Sequence, residues 1–378
     1  MEVLLVGDVL NGHSGTTKLL LYFAKSLEAQ GVKAKLIFFG ETQDSDNIKD
    51  EFGSFDYVIL KNRFLDFIEF PLRLYIYKTH SSFNGEDVPS IILQLFMLRK
   101  IRTMKFEPDH IIFLNHWASF ACILCPVNKE NALFLHEAPI FTDFNLIARV
   151  FLRLYIKILL QKVTPISTTK STMTRTLALY GIKTEIMSMV HFEDFPLTLK
   201  ENIVLLDSRW TDGRDPLFTI ELSKALGDYP IIMHGFFPDK NIEMNMKETI
   251  QRSKLKVSII SGLTEGELSK LYDRVKVVVR WHANQEAGPG AAVVVGISHN
   301  CVPIVDEELG SAEIIRNNVS KELVVKKDAS EFAKKISKLF VDQDFYSSIL
   351  EKLREFKEDN SWTVFTRNLI SELRNKND

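Results

Sequence analysis

The sequence predicts an α/β protein with two doubly wound parallel-sheet domains, and three observations support this fold class. Short apolar runs rich in β-branched residues alternate with amphipathic helical stretches, which is the pattern of βαβ units around a buried parallel sheet. The same alternation restarts near Asn202. A polar segment, residues 191–202, interrupts both patterns and is interpreted as the linker.

The first half supplies five buried strands, with a clear helix between the first two. That amphipathic stretch, 16–31, ends at a glycine, which is typical of helix termination. The predicted strands are VLLVG, AKLIFFG, DYVIL, HIIFLN and ALFLHE. The second half alternates strands with helical stretches such as 264–275 and 311–317. Its predicted strands are NIVLLDSRW, YPIIMHGF, LKVSII, VKVVVRW, VPIVDE and ELVVKK.

The predicted domains are residues 1–196 and 197–359. Two doubly wound domains of similar size imply a cleft between them. Ligands of such sheets bind beyond the carboxyl ends of the strands. Functional residues are therefore expected where the predicted strands end.

Composition excludes several classes of protein. The chain has 378 residues, 46% hydrophobic and 25% charged, which is typical of a globular protein. Its formal net charge of −2 gives no indication of a nucleic-acid partner. No apolar run reaches the roughly 18 residues of a membrane-spanning helix, and no secretory signal is expected. Cys122, Cys125 and Cys301 are interpreted as core thiols, in keeping with a cytoplasmic protein.

A glycine-rich turn follows the first strand. The segment GDVLNGHSG, residues 7–15, has the glycine spacing of a phosphate-binding loop, but His13 stands where such a loop has lysine. The dinucleotide fingerprint is also absent. Gly12, Ser14 and Gly15 are predicted to bind an anion or a sugar hydroxyl at the helix N-terminus. A plain turn between strand and helix is the alternative.

Two arginines follow the first strand of the second half. Arg209 and Arg214 are five residues apart in SRWTDGRDP, a loop that opens a helix. Two guanidinium groups at such a place could bind a diphosphate together with the helix dipole. The alternative is a pair of solvated surface arginines.

Two further stretches have features of a ligand site. His136 ends the fifth strand, where a doubly wound sheet places its ligands, and a structural histidine is the alternative. The stretch EAGPGAAVVVG begins at Glu286 and leads a glycine-rich loop into an apolar helix. The loop formed by Gly288, Pro289 and Gly290 is predicted to hold an anion at the start of that helix.

The order and spacing of these segments resemble those of GT-B glycosyltransferases, specifically the retaining family 4, over nearly the whole chain. The matching segments are GHSGTTKLLLYFAKSLEAQG, LFLHEA, PISTTKSTMTRTLALYGIK, SRWTDGRDP, LTEGELSKLYDRVKVVV, VPIVDEELGSAEII and SWTVF. The resemblance implies two Rossmann-like domains facing a cleft, with a C-terminal helix, 360–378, that crosses back to the first domain. It also implies a nucleoside-diphosphate sugar as the donor, with no metal ion and no other cofactor.

The resemblance also assigns roles to individual residues. Arg209 and Arg214 would stabilise the leaving diphosphate, with Arg214 in place of the family's lysine. Glu286 would orient the donor sugar, and His136 would approach that sugar from the first domain. Leu263 lies in the segment that lines the nucleotide base in the family.

The family's second acid is missing from this sequence. A Glu-x7-Glu pair is typical of the family, and eight residues after Glu286 stands Val294. An alignment that starts from Pro303 instead places Ala287 and Val295 at the two positions. Loss of a hydrogen bond to a charged group, roughly 1.5–3 kcal/mol, would weaken nucleotide binding on the order of ten- to a hundredfold.

The sequence therefore predicts a retaining, metal-independent transferase that moves a hexose to a glycan or lipid-linked acceptor. A nucleotide-sugar epimerase of the same fold is one alternative. The other is a non-catalytic binding subunit that has lost the second acid.

A basic stripe suggests where the acceptor is found. Arg149, Arg153 and Lys157 are spaced four apart on an otherwise apolar predicted helix of the acceptor-side domain. These residues would attach the chain weakly to an anionic membrane, at the inner face for a cytoplasmic protein. The alternative is a core helix with one charged edge.

Overall fold

The structure, a computed structural model, describes most of the chain. The described residues are 1–10, 15–42, 45–46, 49, 52–53, 55–62, 64–65, 67–69, 90–96, 106–114, 119–124, 131–136, 146–186, 192–210, 214–237, 239–281 and 290–375. The chain divides into two compact units, which are residues 1–188 with 362–378, and residues 189–361.

The first unit is built on a seven-stranded sheet. Its strands are β1 (Glu2–Val6), β2 (Lys33–Phe38), β3 (Tyr57–Ile59), β4 (His110–Phe113), β5 (Ala132–His136), β6 (Thr164–Ser167) and β7 (Glu185–Ile186). They lie in the order β3-β2-β1-β4-β5-β6-β7, and every neighbouring pair is parallel. The helices described between them are α1 (Gly15–Ala29), α2 (Ile91–Leu95), α3 (Ala121–Leu124), α4 (Leu146–Lys162) and α5 (Lys170–Tyr180).

The second unit is built on a six-stranded sheet. Its strands are β8 (Glu201–Arg209), β9 (Ile231–Phe236), β10 (Val257–Ile260), β11 (Val275–Arg280), β12 (Val302–Asp306) and β13 (Val324–Val325). Their order is β10-β9-β8-β11-β12-β13, again with parallel neighbours throughout. The helices are α6 (Phe218–Leu226), α7 (Lys240–Arg252), α8 (Glu265–Arg274), α9 (Ala291–Ser298), α10 (Gly310–Asn318), α11 (Ala329–Val341) and α12 (Gln343–Asp359).

The last helix of the chain, α13 (Trp362–Asn375), belongs to the first unit. It packs against α1, where the rings of Phe23 and Trp362 have their centroids 6.1 Å apart. The hydroxyls of Ser26 and Thr366 are hydrogen bonded at 2.8 Å. The predicted return of the C-terminal helix to the first domain is therefore confirmed.

The central strands are buried on both faces, as the continuous apolar runs predict. All five residues of β12 are buried, and so are four of the five in β1. Helices on both faces are needed to cover such strands. The predicted fold class, two doubly wound parallel-sheet α/β domains, is confirmed.

Each sheet has one place where the direction of winding reverses. In the second unit the chain proceeds from β8 outward to β9 and β10, and then returns to β11 on the other side of β8. In the first unit the same reversal separates β1 from β4. Loops on the two sides of such a point diverge, which leaves room for a ligand beyond the carboxyl ends of the two strands.

Candidate functional site

The candidate site of the second unit lies at the carboxyl ends of β8 and β11, where the winding reverses. β8 ends in the residues Asp207, Ser208 and Arg209, and β11 ends at Arg280. A depression opens at this point. It is lined by Asp207, Trp210, Arg214, Val279, Arg280 and Trp281.

A polar network lies under this depression, on the face of the sheet covered by α8. The carboxylate of Asp207 accepts a hydrogen bond from the Tyr272 hydroxyl at 2.6 Å, and Nδ1 of His234 lies 2.9 Å from its other oxygen. Because an ionised carboxylate only accepts hydrogen bonds, the His234 contact requires the ring proton on Nδ1. The network therefore fixes both oxygens of the carboxylate.

Tyr272 is fully buried beneath this network. Burial, and after it the neighbouring Asp207 carboxylate, hold the pKa of the Tyr272 hydroxyl well above its ordinary value. The hydroxyl therefore stays protonated and donates to Asp207. A buried polar group of this kind is costly when unpaired, so the network is rigid as long as all its members are present.

Arg280 is half-buried, and its side chain contacts the neighbouring strand β8. Its Nη1 donates to the backbone oxygen of Asp207 at 3.2 Å. The aromatic walls of the depression are tied to neighbouring backbone as well. Trp210 Nε1 donates to the His234 carbonyl at 2.9 Å, and Trp281 Nε1 donates to the Arg214 carbonyl at 3.0 Å.

The end of β9 requires glycine. Gly235 has φ of +128°, and a Cβ at this position would lie 1.8 Å from the backbone oxygen of Ser208 on β8. No other residue allows the two strands to approach this closely. Gly235 therefore keeps β9 in register with the end of β8, where Ser208 and Gly235 are paired.

Helix α9 is the next described element after β11 and carries no acid. Its residues are AAVVVGIS, and Gly290 precedes it with φ of +75°. Val294 and Val295 both lie on this helix, so neither alignment of the Glu-x7-Glu pair finds a second carboxylate. Glu286, Gly288 and Pro289 lie outside the described residues.

The other predicted site residues are placed as follows. Arg209 is the last residue of β8, and Arg214 is half-buried beside the depression. Leu263 is half-buried and packs on the cluster that includes Tyr272. It precedes α8, whose first turn is fixed by a capping box between Thr264 and Glu267.

In the first unit, Gly15 is the first residue of α1, and Gly12 and Ser14 lie outside the described residues. His136 is the last residue of β5, as predicted, and its backbone is paired with Ser167 of β6. The predicted glycine loop thus runs from the end of β1 to α1, and its residues 11–14 lie outside the described residues. No group of three or more His, Cys, Asp or Glu side chains with metal-site geometry occurs among the residues described above.

The three residues of the predicted basic stripe on α4 differ in exposure. Arg153 and Lys157 are exposed, whereas Arg149 is half-buried. Large apolar side chains occupy most of the exposed face, each with 53–74% of its surface accessible. They are Leu146, Ile147, Val150, Phe151 and Leu154. The exposed face of α4 is thus more apolar than the sequence predicts. No helix in the described part of the chain is long and apolar enough to span a membrane.

Sequence reasoning missed Asp207, His234, Gly235, Tyr272 and Arg280. The available signal was a polar residue near the end of an otherwise apolar strand, in LLDSRW, IIMHGF and VVVRW. The pairing itself could not be found from the sequence, because Asp207 and Tyr272 are 65 residues apart.

Comparison with known proteins identifies the fold. No protein-family model matches the sequence, and no curated protein matches it. The chain does superpose over 99% of its length on a glycosyltransferase from Rickettsia africae, with a TM-score of 0.70, 18% identity and 98% of that chain covered. Anabaena HepE, solved in complex with UDP-glucose, matches with a TM-score of 0.73 at 13% identity, with 99% of this chain and 100% of that chain covered.

A third structure is that of WaaG, a glycosyltransferase involved in lipopolysaccharide biosynthesis. It matches with a TM-score of 0.64 at 12% identity, over 98% of this chain and 99% of that chain. The protein thus has the GT-B fold, which was expected from the order of its motifs. Membership of family 4 stays a prediction.

Proposed function

We propose that the chain is a glycosyltransferase that uses a nucleoside-diphosphate sugar as its donor. The observation that carries this proposal is the depression at the ends of β8 and β11, which is lined by Arg214 and Arg280. The fold is shared with HepE, a protein solved with UDP-glucose. We further propose that the transferred sugar is a hexose, that its configuration is retained and that no metal ion is required. These finer statements come from the family resemblance.

The chemistry required of the site is stabilisation of a departing diphosphate. Arg209 and Arg214 would meet that charge, since guanidinium groups bind phosphate oxygens in a fork geometry. The N-terminus of α9 adds unpaired backbone N–H groups close in sequence to Glu286, which would orient the sugar hydroxyls. His136 is proposed to act on the same sugar.

The proposal is tested by turnover of two variants. Arg209→Ala and Arg214→Ala should each lower turnover about 100- to 1000-fold, the usual cost of removing one preorganised donor from such a site. Arg214→Lys should retain more activity. Arg252→Ala is the matched control, since Arg252 lies exposed on α7 in a surface ion pair with Glu248. Near-normal turnover in both site variants would remove the diphosphate assignment.

Two measurements separate the alternatives. An epimerase would change the donor in the absence of any acceptor, so product analysis with donor alone distinguishes it from a transferase. A binding subunit would show no turnover with any donor and acceptor pair. Activity should also persist in EDTA, and its loss with recovery on adding Mn²⁺ or Mg²⁺ would contradict a metal-independent mechanism.

We propose in addition that the acceptor is lipid-linked and is met at an anionic bilayer through α4. A contiguous apolar helix face exposed to water is unusual in a monomeric protein, and it marks an interaction surface. Arg153 and Lys157 are exposed on the same helix, which suits contact with anionic headgroups. An amphipathic helix of this kind lies in the plane of the interface with its apolar side chains inserted.

The membrane proposal is tested by sedimentation with vesicles that contain phosphatidylglycerol. Replacing Val150, Phe151 and Leu154 together by serine should abolish binding and leave stability almost unchanged, because these side chains are exposed. Replacing Arg153 and Lys157 by glutamine should reduce binding at low salt, by about 1 kcal/mol per residue.

The matched control for the serine variant uses exposed apolar residues of the second unit. Leu199, Leu217 and Val341 are 95%, 60% and 76% exposed, so their replacement by serine removes a comparable apolar area. That control should sediment with vesicles like the wild type. If the wild type does not sediment with anionic vesicles, the membrane proposal is wrong.

A further inference from the structure

We infer that His234 contacts the base of the donor nucleotide, and that it selects a base with a ring N–H on its pairing edge, as uracil and guanine have. The inference rests on the proposed function and deepens it, because it names the class of nucleotide bound in the same site. His234 lies near the end of β9, the strand beside β8, whose carboxyl end borders the depression.

The Asp207 carboxylate determines which nitrogen of the His234 ring carries the proton. Nδ1 of His234 lies 2.9 Å from one carboxylate oxygen, and the Tyr272 hydroxyl donates to the other oxygen at 2.6 Å. An ionised carboxylate can only accept, so the proton must be on Nδ1. In the neutral ring the second nitrogen, Nε2, is then a hydrogen-bond acceptor.

Nε2 of His234 remains available to a ligand. His234 is 9% exposed, and in the described part of the chain its ring makes one hydrogen bond, through Nδ1. Nε2 is not among the unpaired side-chain atoms that are sealed from solvent. It is also the ring nitrogen farther from the backbone. The ring is therefore held in one orientation by Asp207 and offers a single accessible acceptor.

The surroundings of the His234 ring suit a planar and largely apolar group. His234 and Ile232 are two apart on β9, so they share the face of the sheet that α8 covers. Ile232 and Leu263 are half-buried and pack against the cluster around Tyr272. Leu263 follows β10, whose last residue, Ile260, is paired with His234. A nucleobase packs its faces against apolar side chains and forms its hydrogen bonds along its edge.

The order of the strands agrees with a base at β9. The proposed function puts the diphosphate at Arg209 and Arg214, where β8 ends, and the sugar at Glu286, which follows β11 in the sequence. Strands β9 and β11 lie on opposite sides of β8. A nucleoside-diphosphate sugar that extends across these strand ends therefore has its nucleoside on the β9 side.

A fixed acceptor at this place distinguishes between bases of the same size. Uracil and guanine carry a ring N–H on the pairing edge, which can donate to Nε2 of His234. Cytosine and adenine carry an unprotonated ring nitrogen there, and two acceptors that face each other form no hydrogen bond. UDP should therefore bind about ten- to a hundredfold more tightly than CDP, or GDP than ADP, in the size class that the site admits.

The test is titration calorimetry with UDP, CDP, GDP and ADP at pH 8, where an ordinary histidine is neutral. The first variant is His234→Asn, whose amide N–H can replace Nδ1 and keep the bond to Asp207, while the Nε2 acceptor is lost. This variant should bind the preferred nucleotide about ten- to a hundredfold more weakly and lose the preference within its size class. Its midpoint in urea unfolding should stay close to that of the wild type.

A second variant, Asp207→Asn, should change the preference in the opposite direction. The new amide oxygen can still accept from Tyr272, and the new amide N–H then donates to Nδ1 of His234. The ring proton must move to Nε2, which becomes a donor. CDP should therefore gain affinity relative to UDP, and ADP relative to GDP. This shift requires a contact between Nε2 and the base, and a purely structural role of the network would not produce it.

The matched control is His299→Asn. His299 is another buried histidine of the second unit, and its Nδ1 also lies beside a carboxylate, 2.8 Å from Asp273. It follows α9 and precedes β12, at the amino-terminal edge of the sheet, and its ring stacks on Phe195 with the centroids 3.8 Å apart. This variant should bind all four nucleotides like the wild type.

The outcomes are distinguishable from failure of the proposed function. If the wild type binds nucleotides but does not distinguish UDP from CDP or GDP from ADP, the inference about His234 is wrong and the proposed function stands. If His234→Asn weakens all four nucleotides equally, the ring does not contact the base and the inference is overturned. If the wild type binds none of the four, both are wrong.

Discussion

Two buried tyrosines of the second unit allow the contribution of the polar network to stability to be measured. The Tyr272 hydroxyl donates to Asp207 at 2.6 Å, whereas the Tyr346 hydroxyl has no hydrogen-bond partner among the described residues. Replacement of either residue by phenylalanine removes the same single oxygen and keeps the ring. The two variants therefore differ only in the hydrogen bond that is lost.

The two substitutions are expected to change the free energy of unfolding differently. Tyr272→Phe leaves one oxygen of the Asp207 carboxylate without its donor, and it should destabilise the protein by about 1–3 kcal/mol. Tyr346→Phe removes an unpaired buried hydroxyl, so stability should be unchanged or should increase by up to about 1–3 kcal/mol. The ring of Tyr346 also packs under Lys276 Nζ, 4.0 Å from its centroid, and phenylalanine keeps that contact.

Urea unfolding, followed by circular dichroism at pH 7, measures both variants against the wild type. A shift of the midpoint to lower urea in Tyr272→Phe alone is the expected result. Equal midpoints for the two variants would refute the reasoning, because they would mean that the Asp207 contact contributes nothing. A destabilised Tyr346→Phe would equally contradict the assignment of its hydroxyl as unpaired.

Three further predictions concern single positions. Gly235→Ala should lower stability by about 2–6 kcal/mol in urea unfolding, since its Cβ would meet the Ser208 carbonyl and its φ is positive. His299 is buried, which lowers its pKa below the ordinary 6.5 despite its hydrogen bond to Asp273. The unfolded chain then binds the extra proton, so the free energy of unfolding should fall as the pH drops below about 6.5, and less steeply in His299→Gln. Burial raises the pKa of the Cys301 thiol to about 12, so Ellman's reagent at pH 8 should label it only after unfolding.

The fold could be predicted from the sequence because its signal is local. Continuous apolar runs such as VVVRW and VPIVD exceed what a strand with one wet face would show, so they indicate a sheet covered on both sides. The predicted glycine stop was equally direct, since Gly31 has a positive φ two residues after α1 ends. Each of these features depends on neighbouring residues only.

The site could be predicted only in part, because its geometry depends on residues far apart in the chain. Arg214, which lines the depression, was predicted because a loop after a strand is a recognisable place for a ligand. His234 carries no such signal, because a single histidine in an apolar strand is more often structural and its partner Asp207 lies 27 residues away. The exposure of the apolar face of α4 was also hidden, since periodicity shows that a helix has two faces and not which face is covered.

Buried polar groups occur at both edges of the second sheet, and comparing them shows why only one edge is a candidate site. At the amino-terminal edge Lys200 donates to the carbonyls of Tyr272 and His299 at 2.8 and 2.7 Å. Burial lowers the pKa of Lys200, because burying its charged form costs free energy. The two hydrogen bonds hold the residue that precedes β8 against the ends of α8 and α9. That cluster joins one lysine side chain to the backbone carbonyls at the ends of two helices. At the carboxyl-terminal edge the network instead supports Arg280, a cation beside a depression at the winding reversal. A ligand site requires rigid support beneath a charged group that lines a depression, whereas a purely structural contact does not.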